Sequence, residues 1–310
     1  MVGTGIRRIV LALAAVVLPL TASCSLLKTT YVDNPQPAYL AADDGSVLAR
    51  HAPVFVLQTY GLRYNRIGAP VAELDDRGRQ RIAIDTKRPV VYAQREPFTT
   101  DRGEYMNLIY RVHFPEAPMP YVGAGRNVGL LVVVTLDSRD RPVLVTTVHT
   151  CGSHLAFVPT SFLPEKARPR EWALGTQKVH GERLPGLLRL PNPHDTAYRP
   201  VVFLRDETHR VMDVRVQNVA EAPWRYRVVP AELQPMESLE SLPFGPGTTS
   251  FFHESGLRRG YVKGAGKLMS TLFRSWWMMD LHAGSDKRYG DRRETGCVFY
   301  TSQSFWHREE

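Results

Sequence analysis

Two imidazoles and a thiol fall within the six residues His149-Thr150-Cys151-Gly152-Ser153-His154. Imidazole and thiolate are ligands that zinc favours, and three protein ligands with an open fourth position make a catalytic zinc geometry. The same trio could instead supply a thiol nucleophile with an imidazole base. If the chain from Pro142 to Cys151 is extended, residues two apart share a face and His149 neighbours Cys151. Gly152 and Ser153 would then turn the chain and bring His154 back. The spacing His-x-Cys-x-x-His matches no specific motif, so structural or surface roles for these residues compete with both chemistries.

More candidates follow downstream. With His149 and His154, the stretches His180-Gly181-Glu182, His194-Asp195 and Glu207-Thr208-His209 put five of the ten histidines between positions 149 and 209. Glu207 and His209 could add a carboxylate and an imidazole to the first group, and either could close a metal site. No motif calls for a cofactor; zinc is the one the trio could hold. A disulfide competes for the same sulfur. If Cys24 is modified, Cys151 and Cys297 are the two thiols that remain, and an oxidising compartment favours pairing them. Closing a loop of about 146 residues is worth roughly 5 kcal/mol in the chain-entropy description. A metal at Cys151 and this disulfide exclude one another, and the disulfide is the expectation here.

The compartment is written in the first 23 residues. Arg7 and Arg8 form a basic start, Ile9 to Leu20 is an apolar run, and Leu20-Thr21-Ala22-Ser23 leads into Cys24. The run is too short to cross ~30 Å of hydrocarbon as a helix. Small residues before a cysteine resemble the lipobox of bacterial lipoproteins, although Thr21 stands where Leu is commonest. The resemblance covers the leader alone. It implies a cleaved signal peptide over 1–23, a lipidated Cys24 and a membrane anchor, since two or more acyl chains hold durably where one does not. Ser25 after the cysteine, in place of Asp, implies the outer membrane, facing the periplasm.

Without the leader, 37 basic residues stand against 31 acids, a net +6 in place of +8, because Arg7 and Arg8 are its sole charges. The charges are scattered, as on a solvated surface, and the compartment argues against nucleic acid as a partner. An envelope protein or polymer is the expected partner besides the membrane. Gly123-Ala124-Gly125 and Gly264-Ala265-Gly266-Lys267 lack the spacings of nucleotide-binding loops, and no GxSxG elbow is present.

The elements that must position the candidates are mostly strands. Residues 24–50, broken by Pro35, Pro37 and Asp43-Asp44-Gly45, are expected to be a tether, and 51–310 a single β-rich domain. Strands are expected at Pro53–Tyr60, Arg81–Ile84, Pro89–Gln94, Glu104–Phe114, Val128–Leu136, Pro142–His149, Leu155–Val158, Arg199–Leu204, Val211–Val216 and Trp224–Val229. A short helix is expected over Ala231–Leu239 and a longer one over Gly260–Leu281, where Leu268, Leu272, Trp276 and Met279 recur near helical spacing. The fold class is therefore mostly β or α+β, with antiparallel sheets and one longer helix near the C-terminus. The expected function is an envelope-structural or ligand-binding lipoprotein, the alternative a metal- or thiol-dependent hydrolase centred on His149, Cys151 and His154.

Overall fold

The structure, a computed structural model, describes residues 32–100, 103–121, 123–168, 174–192, 195–266, 286 and 288. It is dominated by strands. In chain order they are β1 (Pro37–Ala41), β2 (Val54–Leu57), β3 (Ala69–Leu74), β4 (Gln80–Asp85), β5 (Val90–Thr100), β6 (Gly103–Ala117), β7 (Gly125–Asp137) and β8 (Pro142–His149). There follow β9 (Ala156–Pro159), β10 (Thr176–Val179), β11 (Glu182–Pro185), β12 (Tyr198–Leu204), β13 (Val211–Asn218), β14 (Arg227–Pro235), β15 (Leu242–Phe244) and β16 (Gly247–Thr249). Two short helices, α1 (Val47–His51) and α2 (Ala222–Arg225), interrupt them.

Ten strands form one mixed sheet in the order β13-β12-β2-β1-β14-β5-β6-β7-β8-β9. The half from β5 to β9 is antiparallel throughout, as the pattern of short strands and tight turns predicts. The other half contains parallel pairings of β1 with β14, β14 with β5 and β12 with β2.

Side-chain alternation explains why β6 and β7 read as nearly continuous apolar runs. Leu108, Tyr110, Val112 and Phe114 of β6, with Leu130, Val132 and Val134 of β7, enter the main core. Ile109, Leu131 and Val133 point the other way into a second core, closed by Ile82 and Ile84 of β4 and by Leu239, Phe251 and Phe252. A sheet covered on both faces loses the polar alternation of a one-sided sheet. Each such aliphatic side chain stabilises by about 1.5–3 kcal/mol when fully buried. The main core also takes in Val202 and Leu204 of β12 and Val211 and Val214 of β13. The sheet therefore curls, bringing its β12–β13 end toward β8 and forming a nearly closed barrel.

The turn from β7 to β8 is locally encoded. The Asp137 carboxylate accepts the backbone N–H groups of Arg139 and Arg141 at 3.0 Å each, and the Arg141 guanidinium returns to it at 2.6–2.8 Å. Asp140 takes the left-handed conformation that such a turn needs, at φ 56°.

Several expectations require correction. Residues 37–41, expected in a tether, are β1, a strand inside the large sheet held between β2 and β14, and 47–51 are α1. Residues before 32, with the leader and Cys24, lie outside the described residues. Ala231–Leu239 is not a helix. Its first five residues continue β14, and a single 3-10 turn, Met236–Glu240, follows. Good helix formers in Ala-Glu-Leu-Gln are overruled because β14 is paired on both edges, with β1 and β5. Trp224 belongs to α2, whose Pro at the start favours a helical turn, so the strand begins only at Arg227. Residues 260–266 of the expected long helix form a bridge and turn, Gly260 and Gly264 adopting positive φ; the remainder of that helix lies outside the described residues.

Candidate functional site

The HTCGSH stretch begins on β8 and leaves it at once. β8 ends at His149, and the next residues form a turn in which the Gly152 N–H donates to the His149 carbonyl at 2.7 Å and the His149 N–H to that of Ser153 at 2.9 Å. Gly152 sits at φ 80°, a conformation that glycine reaches without steric cost. His149 and Cys151 are therefore not neighbours on a strand face, as an extended chain would make them; the turn brings them together instead. Thr150, wholly buried, stitches the turn to β7, its N–H and hydroxyl both donating to the Gly129 carbonyl at 2.9 and 3.2 Å. Gly129 is small of necessity. A Cβ there would stand 2.9 Å from both the Thr150 methyl and the Val112 carbonyl oxygen.

The opposite wall is the loop between β12 and β13. Its shape is fixed from outside. Asp206 accepts the Thr59 N–H at 3.2 Å and hydroxyl at 2.8 Å, and the Glu207 N–H donates to Asn65 Oδ1 at 2.8 Å. Burial pushes the Asp206 carboxyl up to about 6 against these hydrogen bonds. The Glu207 carboxylate accepts the Tyr64 hydroxyl at 3.2 Å and also that of Tyr121. Burial, reinforced by Glu207, pushes Tyr64 up to about 12 and raises Tyr121 as well. His209 stacks on Phe114 with ring centres 4.0 Å apart, and its Nε2 lies 3.1 Å from the Tyr64 carbonyl oxygen.

Curling of the sheet joins the two walls. His149 Nε2 lies 3.1 Å from the His209 carbonyl oxygen, across 60 residues of sequence. A carbonyl can only accept, so this nitrogen carries the proton. Cys151 Sγ is 3.1 Å from Ser153 Oγ, which is 2.9 Å from His154 Nδ1. The His154 ring packs between His149 and His180, with centres 4.6 and 4.8 Å away. His149, Cys151, Ser153, His154, His209 and Arg210 line one cavity of about 60 Å³, with Tyr121 and Gly129 among its other walls. Among the described residues, four of the six non-glycine residues at positive φ lie on or beside it: His154 and His209 line it, His180 packs on His154 and Glu207 holds Tyr121. Such conformations are sparsely populated and gather at functional sites, which singles this cavity out from the rest of the fold.

An ionic cluster backs the cavity. Arg205 grips the buried Glu182 carboxylate with Nε at 2.7 Å and Nη2 at 2.8 Å. Arg210 approaches the same carboxylate at 3.2 Å and donates from Nη1 to the His180 carbonyl at 3.2 Å. Its buried Nε has no hydrogen-bond partner.

No family model, curated protein or solved structure matches the chain.

Of the residues expected from sequence, His149, Cys151, His154 and His209 share the cavity, while Glu207 stands behind Tyr121. Among the described residues, no three His, Cys, Asp or Glu side chains come together in a way that could hold a metal ion. His209, expected as a fourth ligand, has its Nε2 turned to the Tyr64 carbonyl, and Glu207 is occupied by two tyrosine hydroxyls. Cys24, His194 and Cys297 lie outside the described residues, so the expected Cys151–Cys297 pairing does too. Sequence reasoning passed over Arg210, Tyr64 and Tyr121. Arg210 adjoins His209, but nothing in the local sequence marks a guanidinium that must share its carboxylate.

Proposed function

We propose that this chain is a lipid-anchored envelope protein whose barrel-like domain binds a small ligand in the cavity between the 149–154 turn and the β12–β13 loop. What carries the proposal is the convergence of His149, Cys151, His154, His209 and Arg210 on one concavity, drawn from chain segments 60 residues apart. Ligand sites combine mostly apolar walls with a few convergent polar groups, as here. A space of about 60 Å³ has room for several water molecules at ~10–15 Å³ each, so it receives a headgroup and not a whole large molecule. The anchor rests on the basic start, the short apolar run and the lipobox-like approach to Cys24, with Ser25 favouring the outer membrane. Titration of imidazole-labelled protein with a fragment set, followed by NMR, tests the binding role. Saturable shifts of the His149 and His154 signals are expected, and they should weaken when Gly123→Phe fills the mouth. Gly123 lines the cavity, and a Cβ there meets nothing within 4 Å. Absence of any saturable shift would overturn the binding role.

One observation favours a second role, a thiol-dependent hydrolase. The line of contacts from Cys151 through Ser153 to His154 could pass a proton from thiol to imidazole. Release of nitrophenolate from an activated ester, lost in both Cys151→Ala and His154→Ala, would establish it. Stoichiometric zinc in purified protein, lost in His149→Ala and His154→Ala, would move it to the metal-dependent form.

A further inference from the structure

We infer that the headgroup taken by this cavity is an oxyanion, a carboxylate in the first instance, and that Arg210 is the residue that receives it; this rests on the ligand-binding role proposed above. The cluster behind the cavity holds two guanidinium groups and one carboxylate. Glu182 is 5% exposed, Arg205 9% and Arg210 7%. Glu182 is already engaged by both of its oxygens in the forked contact with Arg205, the geometry in which a guanidinium and a carboxylate match best. Arg210 reaches the same carboxylate only from the side, at 3.2 Å. One positive charge of the three groups is thus left over, more than nine-tenths buried, on a side chain that lines the cavity.

Burying a cation without full compensation is costly, and so is a buried donor without an acceptor. Arg210 shows both features, because its Nε is buried and has no hydrogen-bond partner. An oxyanion in the cavity would supply the missing acceptor and the missing charge together. It would do so in a site of low dielectric, where charge-assisted hydrogen bonds are strongest. His149 and His154, on the facing wall, line the same space. A neutral amide of the same shape satisfies one donor but leaves the charge as it was. The cavity should therefore discriminate by charge and not by size.

The test uses full-length mature protein at low chloride, with acetate, phosphate and acetamide as probes and the His149 and His154 NMR signals as readout. Acetate is expected to bind saturably, and acetamide at least about tenfold more weakly, the difference that a charged hydrogen bond makes. Arg210→Gln should weaken acetate about ten- to a hundredfold by the same yardstick and leave acetamide nearly unchanged. Circular dichroism establishes that the variant is folded. Should it fail to fold, Gly123→Phe takes its place, with loss of acetate binding expected and undiminished acetate binding overturning the inference. Phosphate binding better than acetate would still support an oxyanion site and identify the larger anion as the preferred class. Equal binding of acetate and acetamide, or acetate binding untouched by Arg210→Gln, would overturn the inference while leaving a ligand-binding cavity in place. Saturable binding of neutral fragments with none of either anion would do the same. Failure of every probe would remove both.

Discussion

Replacing Glu182 by Gln tests the ionic cluster directly. The substitution keeps the side chain's shape and removes the negative charge that, among the described residues, pairs with Arg205 and Arg210. Both guanidinium groups are at most 10% exposed as side chains, so little water can take over. Breaking a buried pair by deleting one partner costs about 3–5 kcal/mol, and here one deletion strands two cations. Against a total stability of ~5–15 kcal/mol, that is at least about a fifth of what holds the fold. For a domain of this size each kcal/mol is worth ~2–4 °C, so thermal denaturation should come about 6–20 °C earlier.

Arg210→Gln supplies the comparison that makes this prediction discriminating. The forked contact of Arg205 at 2.7 and 2.8 Å survives it, and the cluster becomes neutral. Its cost should be small, ~0–1.5 kcal/mol, since a hydrogen bond is lost while a buried charge is relieved. The expected order of melting temperatures is therefore wild type close to Arg210→Gln, with Glu182→Gln far below. If Arg210→Gln were as damaging as Glu182→Gln, Arg210 would be a structural partner of Glu182 in its own right. Its charge would then be committed to Glu182 and not left for a ligand.

Gly129→Ala should destabilise by about 1–3 kcal/mol in urea denaturation, because its Cβ would stand 2.9 Å from the Val112 carbonyl in a packed wall; Gly123→Ala, with nothing within 4 Å, is the control. Stability should fall as pH drops from about 6.5 toward 4.5. Burial holds His113 well below its ordinary value and lowers His51 to about 4, so the unfolded chain takes up protons there that the native one refuses. Burial lowers His253 in the same direction, while Asp206, raised to about 6, works in the opposite direction below that pH, leaving at least roughly one proton's worth, ~1.4 kcal/mol per pH unit. His51→Gln should flatten the dependence, and an unchanged slope would rule out this assignment. Cys24→Ser should abolish acylation and move the protein from the membrane to the soluble fraction, as fractionation and mass spectrometry would register. Equal retention with unchanged mass would remove the anchor.

What could be read from sequence, and what could not, divides along the distance between partners. The β7–β8 hairpin was legible because its causes are local: two apolar runs and an Asp137–Arg141 turn that caps itself. β1 was not legible. Its five residues lie between prolines and an Asp-Asp-Gly turn, and what makes them a strand is pairing with β2 on one side and β14, nearly two hundred residues later, on the other. The same division runs through the site. His149, Cys151 and His154 could be singled out by type and spacing, since one short turn holds them. That His209 would meet them depends on a ten-stranded sheet curling until its two halves touch. Arg210 is a stronger case of the same limit. An arginine beside a histidine signals nothing, and even its contact with Glu182 would suggest an ordinary salt bridge. Its meaning arises only when three buried groups are counted together and the carboxylate is found already gripped by Arg205. Charge balance inside a protein belongs to the whole cluster. A buried guanidinium that must share its carboxylate, with its Nε left without an acceptor, is therefore better evidence for a ligand here than any motif in the chain, and it could have been found only in three dimensions.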